Sequence, residues 1–72
     1  MAGTVKYLDV VALLDALPEA GLQKGQVGTV VEVFDDGSLD VEFADNTGAA
    51  YAFATLRKEQ LLVLHHEAAE SR

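Results

Sequence analysis

Carboxylate side chains are the residues of this sequence with the clearest capacity for chemistry. Twelve Asp and Glu stand against five Lys and Arg, for a formal net charge of −7. Such an excess is either a solvated face that keeps a small apolar protein soluble or a surface that steers a basic protein partner. The same excess of negative charge also repels nucleic acid, because binding to its phosphates requires clustered Lys and Arg side chains. Six acids fall in one stretch without any base: Glu32, Asp35, Asp36, Asp40, Glu42 and Asp45.

The sequence offers little for metal or catalytic chemistry. Asp40 and Glu42 are two apart, a spacing at which two oxygens on one strand face can meet a hard cation, but no further ligand accompanies them. His65 and His66 are adjacent, so on a strand they point to opposite faces and do not share one metal within a monomer. There is no cysteine. We predict that the protein is not an enzyme and has no catalytic residue, metal site or cofactor.

Apolar residues form the second kind of candidate site. Leu17, Pro18 and Leu22 lie in a turn-rich segment and either bind a protein partner together or seal the open end of a small core. Tyr51 and Phe53 pose a similar choice between core and peptide platform, and strand alternation favours the core. These three loop residues, with three of the acids, are the predicted partner-binding residues: Leu17, Pro18, Leu22, Asp36, Asp40 and Glu42.

The sequence predicts that these residues are carried by five short strands. The first covers residues 8–14 and is followed by a loop over 15–25 that contains Pro18 and two glycines. The second, residues 27–34, is β-branched but changes parity, which predicts either a strongly bent strand or a bulge that turns both Val30 and Val33 inward. Gly28 then marks a site of close backbone approach or of bending.

Turn residues separate the later strands. Asp-Asp-Gly-Ser at residues 35–38 predicts a tight hairpin with Gly37 at positive φ. The next strand alternates cleanly, with Leu39, Val41 and Phe43 inward. A second turn at 45–48 leads into a strand in which alanines alternate with Tyr51, Phe53 and Thr55, and a 3₁₀ turn over 57–60 precedes the closing strand from Leu61.

This order of connections predicts an all-β fold, a five-stranded SH3-like barrel forming one small domain over residues 7–66. Residues 1–6 and 67–72 are predicted to be flexible. No segment reaches the roughly 20 apolar residues of a membrane helix and no signal peptide is evident, so we expect a cytoplasmic protein without a membrane partner.

Four ordered segments resemble a family of small bacterial proteins, the domain of unknown function 4926: LDVVAL at 8–13, LPEAGL at 17–22, GQVGTVVEV at 25–33 and LRKEQL at 56–61. The resemblance covers nearly the whole chain and implies a fold and a size class, without an activity. It is also compatible with a co-encoded partner protein. A more distant similarity, to the strand pair of KOW-type domains, stops at the hairpin, which is acidic here where theirs is basic.

Three functions are therefore open. The first is a non-enzymatic, acidic protein-binding module, acting as the neutralising, antitoxin-like or accessory partner of a basic, co-encoded protein. The second is a KOW-like nucleic-acid-binding domain that uses Lys24, Arg57 and Lys58, a use that their scatter disfavours. The third is a structural module that forms homo-oligomers through an edge strand.

Overall fold

The computed structural model of the protein describes residues 5–45 and 47–65. Within them, five strands form a single antiparallel sheet in the order β4-β3-β2-β1-β5. The described chain contains two short 3₁₀ turns, Pro18–Ala20 and Lys58–Gln60, and no α-helix. The all-β, five-stranded prediction is confirmed. The strands are β1 (Val10–Leu13), β2 (Val27–Val33), β3 (Ser38–Ala44), β4 (Ala50–Arg57) and β5 (Leu61–Val63).

The sheet is open rather than closed into a barrel. β4 and β5 stand at the two ends of the strand order, so within the described residues neither is hydrogen-bonded to the other. Each end strand therefore has one edge without a sheet neighbour. The predicted flexible ends fall largely outside the described residues, and of the terminal residues that are described, Val5 packs against the core.

The core lies on one face of this sheet, and β3 supplies its centre. Leu39, Val41 and Phe43 are buried, which confirms the predicted alternation of this strand. Val30 of the adjacent strand β2 and Val11 of β1, the next strand beyond it, are also fully buried. The cluster is completed from β1, β4, β5 and the first loop by Leu13, Leu22, Leu56 and Leu61. Apolar burial of this kind is the main source of stability in a small domain that has no cysteine for a disulfide.

The bulge predicted in β2 is present. The pairing of β2 with β3 shifts between Val30 and Glu32, so Val30 lies opposite Val41 and Val33 opposite Leu39. Opposite residues of an antiparallel pair share a face, so Val30 and Val33 are on the core side although they are three residues apart. Val33 nevertheless remains 43% exposed, because it lies at the end of the hairpin.

Both predicted turns form, each with a glycine at positive φ. Gly37 has φ 91°, and its N–H donates to the carbonyl of Phe34 at 3.0 Å. Gly48 has φ 89°, and its N–H donates to the carbonyl of Asp45 at the same distance. A turn closed by a left-handed residue matches the twist of the strands that it joins, and glycine adopts that conformation without steric cost.

Strand β1 begins two residues later than predicted. Leu8 has φ 72°, in the left-handed region, where a leucine cannot continue a strand. The turn that holds it there is closed by hydrogen bonds between Lys6 and Asp9, in which the N–H of Asp9 donates to the Lys6 carbonyl and the N–H of Lys6 donates to the Asp9 carboxylate. The backbone of these residues still bonds to β2, because the N–H of Leu8 donates to the carbonyl of Val30 at 2.8 Å and the N–H of Val30 donates to the carbonyl of Asp9 at 2.9 Å. The left-handed conformation of Leu8 is therefore what delays the regular strand to Val10.

The expectation that Tyr51 and Phe53 lie in the core is wrong. Phe53 lies opposite Glu42, on the outer face of the sheet, and is 64% exposed, while Tyr51 is 48% exposed. The alanines of β4 face the core instead, because Ala52 is opposite Phe43 and Ala54 is opposite Val41, whose side chains already fill that space. A larger residue at either position would overpack the core.

Candidate functional site

The outer face of the β2–β3 hairpin carries a row of carboxylates, which we call the acidic face: Glu32, Asp40 and Glu42. Glu32 lies directly opposite Asp40 in the register, and Glu42 follows two residues along the same face of β3. Glu32 is exposed, and the two β3 acids are half-buried. The bulge in β2 brings Glu32 opposite Asp40, since it shifts the pairing by one residue just before Glu32.

This arrangement is unfavourable for the isolated domain. Like charges directly opposite each other on a sheet are destabilising. Neither β2 nor β3 contains a Lys or Arg that would offset the repulsion between Glu32 and Asp40. The acidic face is therefore not explained by the stability of the fold.

One member of the acidic face is held in place by β4. The hydroxyl of Thr55 donates a 2.6 Å hydrogen bond to Oδ1 of Asp40, which it faces across the β3–β4 pair. The bond fixes the Asp40 carboxylate by one oxygen and leaves its second oxygen for another donor. The position of this acid is thus set by a contact within the domain itself.

Asp36 belongs to the turn rather than to the acidic face. Its Oδ1 accepts hydrogen bonds from the Ser38 hydroxyl at 2.6 Å and from the Ser38 N–H at 2.9 Å. The Ser38 hydroxyl, aided by that N–H, lowers the pKa of Asp36 below its usual value. This acid therefore stays ionised to lower pH than usual. Its hydrogen bonds with Ser38 close the hairpin turn.

Asp45 plays the same part in the second turn. Its Oδ1 accepts from the Thr47 hydroxyl at 2.6 Å, from the Thr47 N–H at 2.8 Å and from the Ala49 N–H at 3.2 Å. The Thr47 hydroxyl is the main cause that lowers the pKa of Asp45. The two hairpins thus use the same chemistry, an Asp that accepts from the Ser or Thr two residues later.

Aromatic surface adjoins the acidic face. Phe53 lies directly opposite Glu42, and on the other side of Glu42 the register places Thr29. Tyr51, near the start of β4, accepts a hydrogen bond through its hydroxyl from the side-chain amide of Gln26. An exposed ring beside a carboxylate suits a basic side chain, which can lie on the ring while its charge meets the acid.

The predicted partner-binding residues of the first loop, Leu17, Pro18 and Leu22, do not form a single exposed patch. Leu17 and Leu22 pair by two backbone hydrogen bonds, of 2.9 and 3.1 Å, across the 3₁₀ turn. Leu22 is 2% exposed and belongs to the core, Leu17 is half-buried against it, and Pro18 is exposed. This placement agrees with the sealing interpretation. Of the three residues, only Pro18 is well exposed to a partner.

The described part of the structure supports neither a metal site nor a membrane-spanning helix. Over residues 5–45 and 47–65, no group of three or more His, Cys, Asp or Glu is placed to hold a metal ion. His65 is exposed, and His66 lies outside the described residues. In the same part of the chain, no helix has the length and apolar character to cross a membrane.

Sequence reasoning missed two features of this site. The opposition of Glu32 and Asp40 depends on the place of the bulge, which the parity change near Val30 signals only to within a residue or two. The exposure of Phe53 is the second feature, because strand alternation divides the side chains of β4 between two faces without indicating which face meets the core. The run of alanines at alternate positions of β4 was the available signal, since small residues fit where the opposite strand is bulky.

Comparison with known proteins yields a family and no activity. Searches of the curated proteins and of the solved structures gave no match. The family described as Domain of unknown function (DUF4926) matches residues 7–63, which include all five strands. The chain belongs to this family.

Proposed function

We propose that the protein is a non-enzymatic binding module of SH3-like architecture whose acidic face binds a basic segment of a protein partner. A co-encoded protein, which this chain would neutralise or assist, is the partner that we favour. The architecture is supported by the strand order, in which β1 to β4 follow one another and β5 returns to β1 after a 3₁₀ turn.

One observation carries the binding proposal. Glu32 and Asp40 face each other on a hairpin without bases, although this juxtaposition costs stability. A cationic partner would relieve that repulsion, so binding would recover free energy that the free domain lacks. The Thr55 bond to Asp40 adds to the proposal, because a carboxylate already held in place loses less conformational entropy on binding.

The test compares two triple variants that remove the same charge from different places. Glu32→Gln, Asp40→Asn and Glu42→Gln together neutralise the acidic face. Asp15→Asn, Glu19→Gln and Glu59→Gln, all at exposed positions away from that face, form the matched control. Asp36 is left unchanged because it closes the hairpin. Circular dichroism verifies that both variants keep the fold.

The readout is the association rate with the protein that co-purifies with the tagged chain from its native host. We expect the acidic-face variant to associate severalfold more slowly at low salt and the control much less so. The difference should shrink at high salt, because the Debye length falls from about 8 Å at physiological ionic strength to about 3 Å at 1 M. Equal rates for the two variants would contradict the proposal.

A further inference from the structure

Strand β4 ends the sheet with a long, uncharged edge. Among the residues that the structure describes, its only neighbour in the strand order is β3, so the other side of β4 presents backbone N–H and C=O groups to which no described strand is paired. Residues 50–56 include no charge, proline or glycine, the residue types that commonly protect such edges. β5, at the opposite end, has only three residues and is protected by its shortness.

A bulge interrupts only the start of this edge. The pairing of β3 with β4 shifts after Phe43, which leaves Tyr51 as the extra residue, and from Ala52 to Arg57 the pairing is regular. Two such regular segments placed antiparallel about a two-fold axis at Ala54 bring Ala52 opposite Leu56, and Phe53 opposite Thr55 of the second copy. Inward residues then meet inward residues and outward meet outward, as pairing of strands in one continuous sheet requires.

The charges at the two ends of β4 favour the same arrangement. β4 follows the turn of Asp45 and ends at Arg57, and Lys58 is the first residue of the 3₁₀ turn that comes next. Arg57 and Lys58 are the only adjacent pair of bases in the sequence. In the arrangement about Ala54, the Arg57 end of each β4 lies beside the Ala50 end of the second copy's β4. Ala50 pairs with Ala44, the last residue of β3, and Asp45 directly follows Ala44 in the chain. Each basic end thus meets an acidic turn, and the edge is complementary to itself.

We propose that β4 pairs antiparallel with β4 of a second copy, which joins the two five-stranded sheets into one. This surface is distinct from the acidic face, which lies on β2 and β3 and stays accessible in the pair. The exposed rings of Tyr51 and Phe53 lose part of their accessible surface in the pair, which adds apolar stabilisation to the backbone hydrogen bonds.

Salt dependence separates this pairing from the proposed binding of a basic partner. Two copies that each carry −7 repel each other at long range, and added salt screens that repulsion more than it screens contacts of a few ångströms. Self-association should therefore strengthen as salt rises from about 0.15 M to about 1 M, whereas association with a basic partner should slow.

Sedimentation equilibrium over micromolar to millimolar protein concentrations measures the pairing. We expect the average mass to rise with concentration from 7.7 kDa towards twice that value. A mass that stays at 7.7 kDa throughout, at both salt concentrations, would overturn the proposal.

Two matched pairs of variants locate the interface. Phe53→Lys places a charge beside the β4 edge, and Val27→Lys places the same charge on another exposed apolar residue of the central strand β2. We expect Phe53→Lys to weaken the pairing about tenfold or more and Val27→Lys to leave it near the level of the unmodified chain. Equal losses would show association through the open face of the sheet and would overturn edge pairing.

The second pair of variants keeps the conclusion open to test if Phe53→Lys folds poorly. Lys58→Glu and Lys24→Glu change the net charge equally, and of the two only Lys58 adjoins β4, as the residue that directly follows it. We expect Lys58→Glu to weaken pairing severalfold more than Lys24→Glu, because it brings an acid to the Asp45 turn of the second copy. Equal effects of the two substitutions would contradict the proposed arrangement.

Discussion

Gly28 allows strands β2 and β3 to approach each other closely, because it has no Cβ. A Cβ at this position would lie 2.7 Å from Cγ1 of Val41, 2.8 Å from the carbonyl oxygen of Glu42 and 2.9 Å from Cδ1 of Phe43. One of these neighbours is backbone in the adjacent strand, so it cannot move aside without disturbing the β2–β3 ladder. Gly37 is constrained differently, because it has open space around it and a φ of 91°.

We therefore expect Gly28→Ala to lower the free energy of unfolding by about 1–3 kcal/mol through overpacking. Urea denaturation followed by circular dichroism gives the value. Asparagine separates the two glycines: Gly37→Asn should be tolerated, since asparagine readily adopts positive φ, whereas Gly28→Asn should be worse than Gly28→Ala. A Gly28→Ala variant as stable as the parent would show that the strands separate at little cost.

The contribution of a side chain on β3 or β4 to stability depends on which face of the sheet it lies on. Phe43 and Phe53 are identical in chemistry and lie on strands that pair with each other, but one is fully buried and the other is mostly exposed. This contrast gives a direct measure of what the core contributes.

Phe43→Ala should cost about 3–5 kcal/mol, enough to unfold much of a domain this small. Phe53→Ala should stay within about 0.5 kcal/mol, as is usual for exposed positions. Thermal and urea denaturation of the two variants at low protein concentration, where self-association does not contribute, make the comparison. Similar losses for both variants would mean that the register of β4 is wrong.

The two Asp-capped hairpin turns should make stability depend on acid. Because hydrogen bonds from Ser38 lower the pKa of Asp36 in the folded state, its ionised form contributes stability above the usual value of 3.8. That contribution is lost as the pH falls through the lowered value in the folded protein. The same sign holds for Asp45, whose pKa is lowered by Thr47.

Asp36→Asn should therefore be less stable than the parent at neutral pH, and the difference should shrink towards zero as the pH falls to about 2. Urea denaturation across this range measures it. Asp35→Asn, the neighbouring substitution, removes the same charge and leaves the Ser38 bonds intact, so it controls for net charge. A difference that is constant with pH would mean that the Ser38 bonds do not favour the ionised form.

At the scale of the whole molecule, the sign of the net charge and the spacing of the basic side chains determine which charged molecules the surface attracts or repels. The net charge is −7, and the bases of the described chain are dispersed apart from Arg57 and Lys58. Phosphate binding requires several clustered cations, and this surface repels a polyanion over about a Debye length.

The protein should accordingly flow through a heparin column at about 0.15 M salt. The variant with a neutralised acidic face should flow through as well, because removing acids creates no basic cluster. Retention of the unmodified protein, lost on substitution of Lys24, Arg57 and Lys58, would instead favour the KOW-like nucleic-acid-binding function.

The sequence by itself determined the features that depend on neighbours along the chain. The alternation of β3, the turns at Gly37 and Gly48 and the 3₁₀ turn before β5 were predicted, as was a bend or bulge in β2. Each is local, since it follows from residues within a few positions of one another and from the φ that those residues allow.

The tertiary structure decided what depends on the residue across the sheet. Which side of β4 faces the core is set by Phe43 and Val41, whose bulk admits only alanines opposite them. The meeting of Glu32 with Asp40 and the openness of the β4 edge likewise follow from register and strand order. These features arise from the packing of segments that are distant in sequence, and a single strand read alone carries no record of its partner's side chains.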